Sequence, residues 1–358
     1  MLCAAGCCIA LGCFSAESRI VSITRPEAVT GFQANDAAIP PMLETALTRL
    51  TGRRSAGEAM ATFVSPADVV AIHINTRGKP PLATHPALVD AVIAALSRAG
   101  VPGRQIIVWS RNAEEMTAAG YAPGLRANGV RYMAVLPGTG FDREAFYLHE
   151  NVGELIWGDL EFVGRPPDID EIVRRAERDE PIDPKAQKMP RQSSNKSYYA
   201  KIVTQMATKI INMPVMANSE STGLHGCIAS LALDSVDNNR RFQFQPLWGD
   251  PALAEIIAEE PIRKKIVLHI MDGLLAQYAG GPSLNINYCH EQATIYVSKD
   301  PVAIDATVAI LLEKFRATRR LPEAAPMLGH IRSAARLGLG VADVNRIGLD
   351  AIGNPPDP

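Results

Sequence analysis

The segment Asp68-Val69-Val70-Ala71-Ile72-His73-Ile74-Asn75 constrains the fold more than any other. It is a continuous apolar run ending in polar residues, the pattern of a strand buried on both faces of a parallel sheet. A helix follows. Thr84 stands where a cap is needed and Pro86 in the first turn, while Leu88, Val92, Ala95, Leu96 and Ala99 mark one face and Gly100 an end. Gln105-Ile106-Ile107-Val108-Trp109 is a second buried strand. The helix is long enough for a crossover, so the three elements form a βαβ unit. Val130 to Leu136 adds a third strand. The expected class is α/β: a largely parallel sheet flanked by helices, built as one body or as two α/β lobes with a crevice between them.

The second half repeats the pattern. Strands are expected over Lys209 to Val215, Lys265 to Asp272 and Ala293 to Ser298, and helices from Ile228 and from Asp300-Pro301 to about Phe315. Before the first strand, Pro40 to Leu50 reads as a short amphipathic helix, and residues 17–40 as a Pro-punctuated arm. The tail reads as Ala-rich helix, then Gly338-Leu339-Gly340, then a Pro-rich end. The expected divisions are a leader over 1–16, an N-terminal α/β half over 17–163, a polar excursion over 164–197 and a C-terminal α/β half over 198–358.

The 36 Lys and Arg against 38 Asp and Glu leave a net charge of -2, without the basic excess of a general nucleic-acid binder. No stretch reaches the roughly 20 apolar residues of a membrane helix. Four of the six cysteines (Cys3, Cys7, Cys8 and Cys13) lie in the uncharged run Leu2 to Phe14. That run fits the apolar region of a secretory signal, with Cys13 and Ser15 small enough to flank a cleavage site. The expectation is an exported protein. No Lys or Arg precedes Arg19, so either the true start lies upstream or the run is not a signal. Ala10-Leu11-Gly12-Cys13 is only a loose lipoprotein box, and a greasy end segment is a poor metal site. Cys227 and Cys289 suit either a disulfide or two separate thiols.

Several signatures are absent: G-x-G-x-x-G after a strand, a Walker loop, G-x-S-x-G, H-E-x-x-H, C-x-x-C and a ferredoxin cysteine run. What remains is polar residues at strand ends, where open α/β sheets bind ligands. Asn75, Asn212 and Asp272 are the first candidates. Ser221-Thr222-Gly223, just before a helix, could present N–H groups to an anion, with His225 beside them as a proton-transfer group. Arg240 and Arg241 offer guanidinium forks suited to carboxylate or phosphate. Asp305 lies on a helix capped by Asp300, and a buried carboxylate there calls for a partner. Cys289-His290-Glu291 holds three ligand types, but neighbours on a strand alternate faces.

In order and spacing, the chain resembles the domain of unknown function 362 family. The matching stretches are Val70 to Asn75, Thr84 to Val89, Ala99 to Pro102, Ile107 to Trp109, Lys209 to Val215, Leu268 to Asp272, Gly280 to Pro282 and Ser298 to Asp305. The resemblance implies an α/β fold and an exported protein, but no established reaction. Members often carry twin-arginine leaders or a ferredoxin module, and this chain shows neither. Where the family often has lysines, it has His73 and Met216, and Ala229-Ser230 replaces a usual Lys-Asn pair.

The expected function is an exported protein with a crevice for a small anionic or metal-bearing ligand. His225 would transfer a proton and Asp272 would hold a metal or orient His225, in cofactor- or metal-dependent redox or isomerisation chemistry. The cofactor itself is not legible. The alternative is a non-enzymatic binding or accessory protein for cofactor assembly.

Overall fold

The computed structural model describes residues 17–164 and 191–354; the leader and most of the polar excursion lie outside them. The central sheet has 11 strands. They are β1 (Ser18–Thr24), β4 (Val70–Ile74), β5 (Ile106–Asn112), β6 (Gly124–Leu125), β7 (Arg131–Leu136), β10 (Lys209–Met213), β11 (Val215–Ser219), β12 (Gly223–Leu224), β13 (Ile266–Gln277), β14 (Cys289–Ser298) and β15 (Ile347–Ile352). Two small ribbons stand apart: β2 (Val29–Thr30) with β3 (Gln33–Ala34), and β8 (Phe141–Glu154) with β9 (Ser193–Ala200). Across the main sheet the order is β15-β1-β14-β13-β10-β4-β5-β7-β6, with β11 added on β13. The run β13-β10-β4-β5-β7 is parallel throughout. The chain is thus α/β with a mostly parallel sheet, and strands from both sequence halves share it.

Helices cover both faces. On one lie α1 (Ile39–Thr51), α2 (Ala56–Met60) and α3 (Pro86–Arg98). On the other lie α5 (Cys227–Ser235), α6 (Ala252–Ala258), α8 (Pro301–Thr318) and α9 (Gly329–Arg336). Short α4 (Ala113–Ala118) follows β5, and α7 (Glu260–Arg263) precedes β13. Every residue of α5 is buried, as expected of a helix lying under other helices.

The topology creates one special seam. From β4 the chain crosses through α3 to β5 on one side; from β10 it crosses through α5 and α6 to β13 on the other. The β4–β10 pair is therefore the point where strand order reverses, where doubly wound sheets open a crevice at their carboxyl ends.

Three local expectations change. Thr84 does not cap α3: its Oγ1 accepts from Asn75 N at 2.9 Å and donates to Met213 O at 2.7 Å, tying β4 to β10. His85 takes the N-cap position without a side-chain bond. The expected N-terminal arm contains β1, inserted between β14 and β15, and the tail supplies β15 rather than only coil. Of the two readings left open for the cysteines, separate thiols hold among the described residues: Cys227 and Cys289 are not bridged there.

Candidate functional site

At the β4–β10 seam the carboxyl ends of the strands carry polar side chains on the face covered by α5. His73 on β4 stands directly beside Asn212 on β10. His73 Nδ1 lies 2.8 Å from Asn212 Oδ1, and His73 Nε2 lies 3.1 Å from Asp234 Oδ2, near the end of α5. Asn212 Nδ2 donates to the Cys227 carbonyl at 2.9 Å and lies 3.2 Å from His269 Nδ1 on β13. Asp234 Oδ2 also accepts from Ser110 Oγ at 2.9 Å and Arg111 N at 3.3 Å. His73, Asn212 and His269 are fully buried.

The partners fix the protons. The Cys227 carbonyl takes the Asn212 amide hydrogen, so Asn212 Oδ1 faces His73 as an acceptor. Burial alone would push the Asp234 carboxyl up, but the His73 hydrogen bond and the charges of Arg77 and His73 hold it well below the usual carboxylate range. Ionised Asp234 only accepts. Both His73 nitrogens therefore face oxygen atoms, and the result is a buried, hydrogen-bonded His73–Asp234 pair at the seam.

Beside this pair, several polar atoms lack partners among the described residues. There Asp234 Oδ1 has no hydrogen bond; Arg77 Nη2 approaches it at 3.5 Å, an ion-pair distance but a poor hydrogen bond. His225 is buried, and among the described residues its Nδ1 is unpaired. Burial, then the nearby Arg77 charge, pushes its pKa down to about 3, so it is neutral across the ordinary pH range. The Arg77 side chain keeps 22% of its surface exposed and connects the cluster to solvent. Asn75 steadies the approach: its Oδ1 accepts from Arg77 N at 3.2 Å, and its Nδ2 lies 3.4 Å from Ser230 Oγ.

The sequence candidates divide accordingly. Asn75, Asn212 and His225 meet in this cluster. Asp272 lies on the opposite face, where its carboxylate accepts from His85 N at 2.7 Å at the start of α3 and from Leu274 N at 3.1 Å. Burial pushes its pKa up against those two bonds. Asp305 occupies the N-terminus of α5, accepting from Cys227 N at 2.7 Å and Ile228 N at 3.0 Å. The N–H groups expected to face an anion thus already face a side chain of this chain. Burial outweighs those bonds and raises the Asp305 pKa to about 7. Ser221 and Thr222 turn inward on Ser219 Oγ through their N–H groups, and Gly223 packs against Met327 and Leu328. Arg240 and Arg241 belong to a separate groove. Sequence reading passed over Arg77, Ser110 and Asp234; the available signal was His73, a titratable side chain inside an otherwise apolar strand. Among the described residues, no three His, Cys, Asp or Glu side chains are placed to hold a metal ion.

Comparison with known proteins adds a family likeness. Residues 168–309 match the model of the family described as Domain of unknown function (DUF362), so the chain resembles that family. The match contains Asn212, His225, Asp234, Asp272 and Asp305, while His73 and Arg77 precede it. No curated protein matches the sequence. A crystal structure of a Thermotoga maritima protein aligns at 13% identity with a TM-score of 0.35, covering 68% of this chain and 51% of that one. The chain thus spans about half the length of that protein. Among the described residues no helix is long and apolar enough to cross a membrane.

Proposed function

We propose that the chain binds a small organic oxyanion carrying a hydroxyl or amino group at the β4–β10 seam. The observation that carries this reading is the set of under-bonded groups there: the Arg77 guanidinium, Asp234 Oδ1 and His225 Nδ1. A buried polar atom without a partner calls for an explanation, and a ligand supplies one. A guanidinium suits a carboxylate or phosphate oxygen, and a carboxylate oxygen suits a donor. Such a ligand would satisfy both. The role is binding rather than proton transfer near neutral pH. His225 is too weak a base there, and the His73 ring is held between two acceptors.

The test is thermal unfolding of the full chain with glycolate, acetate and inorganic phosphate. Glycolate offers both an oxyanion and a donor and is expected to raise the melting temperature most. Arg77→Gln, which leaves the His73–Asp234 pair in place, is expected to abolish the rise. A rise that persists in Arg77→Gln, or none with any of the three, overturns the reading.

A further inference from the structure

The Arg240–Arg241 pair contributes neither to the sheet nor to the seam. It borders a 590 Å3 groove between the outer half of β8 and the loop over 240–247. Arg241 is buried in its floor. Its Nη1 donates to the carbonyls of His149 and Asn151, and its Nη2 donates to Ser197 Oγ at 3.0 Å. Its Nε is buried without a partner among the described residues. Gly153 makes room for this: a Cβ there would come within 2.8 Å of Arg241 Cβ.

Arg240 is exposed at the rim. Among the described residues neither arginine has a carboxylate at ion-pair distance, and the groove's own Glu154 is matched by Arg191 at 3.9 Å. Part of the wall is apolar and uncovered: Val152 is 57% exposed and Phe244 60%. The Phe244 exposure is imposed by the backbone. Phe244 sits at φ 66°, a region large side chains avoid, pinned by its N–H to Ser221 O at 2.9 Å and by Trp248 N to its carbonyl at 2.7 Å.

We infer that this groove is a second binding site, for a small aryl carboxylate. Its carboxylate would lie against the exposed Arg240, and its ring against Phe244 and Val152. The two halves of the groove require both parts of the ligand. A bare inorganic anion would leave the apolar part of the walls wet, and a neutral arene would leave Arg240 without an anion. Charge-assisted bonding to guanidinium and ring–ring packing are each strong enough to discriminate.

The test is titration calorimetry of the full chain with phenylacetate, using acetate and benzyl alcohol as controls. Phenylacetate is expected to bind roughly tenfold or more tightly than either control. Arg240→Gln and Phe244→Asn change exposed groups, and asparagine tolerates the positive φ, so both variants should fold. Each is expected to weaken phenylacetate binding about tenfold, while Arg77→Gln leaves it unchanged. Absent binding, binding equal to that of acetate, or binding indifferent to both groove variants overturns the inference. Loss in Arg77→Gln also overturns it, because the ligand would then sit at the seam.

Discussion

Replacing Asp234 by asparagine separates charge from hydrogen bonding at the seam. His73 Nε2, Ser110 Oγ and Arg111 N all meet the same oxygen, Asp234 Oδ2, so an asparagine carbonyl placed there keeps all three bonds. Its amide nitrogen then takes the place of Oδ1, facing Arg77. The substitution removes the carboxylate charge that faces Arg77 and adds a donor opposite that guanidinium. Removing one partner of a buried ion pair destabilises by about 3–5 kcal/mol, and the 22% exposure of the Arg77 side chain lessens this. We expect about 2–3 kcal/mol for Asp234→Asn, and about 3–5 kcal/mol for Asp234→Ala, which also loses the three bonds. Urea unfolding, read as a midpoint shift at unchanged m, measures both. The gap between wild type and Asp234→Asn should depend on acid. The folded-state pKa of Asp234 lies below its unfolded value, so its contribution is complete above about pH 4 and fades as pH falls through the folded value. A loss under about 1 kcal/mol for Asp234→Asn, or a gap unchanged on acidification, would refute an ionised Asp234 at the seam.

Two further substitutions test the frame around the site. Asp305 has the opposite sign: its folded pKa is raised to about 7, so its contribution is complete below the unfolded value and is lost as pH rises through about 7. Asp305→Asn should flatten the stability profile between about pH 4 and 7 by a few kcal/mol, read by urea midpoints across that range; an unchanged slope would place the titration elsewhere. Thr84→Val removes both bonds of the β4–β10 tie and leaves Asn75 N and Met213 O unpaired, which should destabilise by about 1–3 kcal/mol. A melting temperature equal to wild type would show that the tie contributes nothing.

Much of the sheet was legible because buried parallel strands are apolar on both faces. Residues 70–74, 106–109 and 210–213 are all buried and were read as strands on that basis. The ends of the chain were not legible. β1 has too little apolar length to stand out beside a greasy leader, and it becomes a strand only when β14 and β15 flank it. The β8–β9 ribbon carries Leu148 and Val152 exposed, so its pattern does not alternate as a half-buried strand does. At the site, strand-end position pointed to Asn75 and Asn212, which lie toward the carboxyl ends of the paired segments β4 and β10. The same rule could not tell which face Asp272 takes, because alternation turns it away from His269 three residues earlier. Asp234 was invisible for another reason. A helix buried on all sides shows no polar face, so the depth of its one carboxylate follows only from what packs over it.

The position of His73 also bears on how the sheet assembles. His73 and Arg77 come from the first half of the chain, whereas Asn212, His225 and Asp234 come from the second, so the cluster exists only once β4 and β10 have paired. In the observed register His73 stands opposite Asn212, on the α5 face. A slip of β10 by one residue would bring Ile211 or Met213 opposite His73 and turn Asn212 to the other face, among the apolar side chains packed under α1 to α3. Asn212 would then lose its bonds to His73, Cys227 and His269 together, in a layer that offers few polar partners. An all-apolar β4 could pair in either register with similar burial, but one carrying His73 cannot. The polar side chains beneath the proposed ligand groups therefore also penalise the misaligned sheet, because an unpaired buried polar group is more costly than a displaced methyl group.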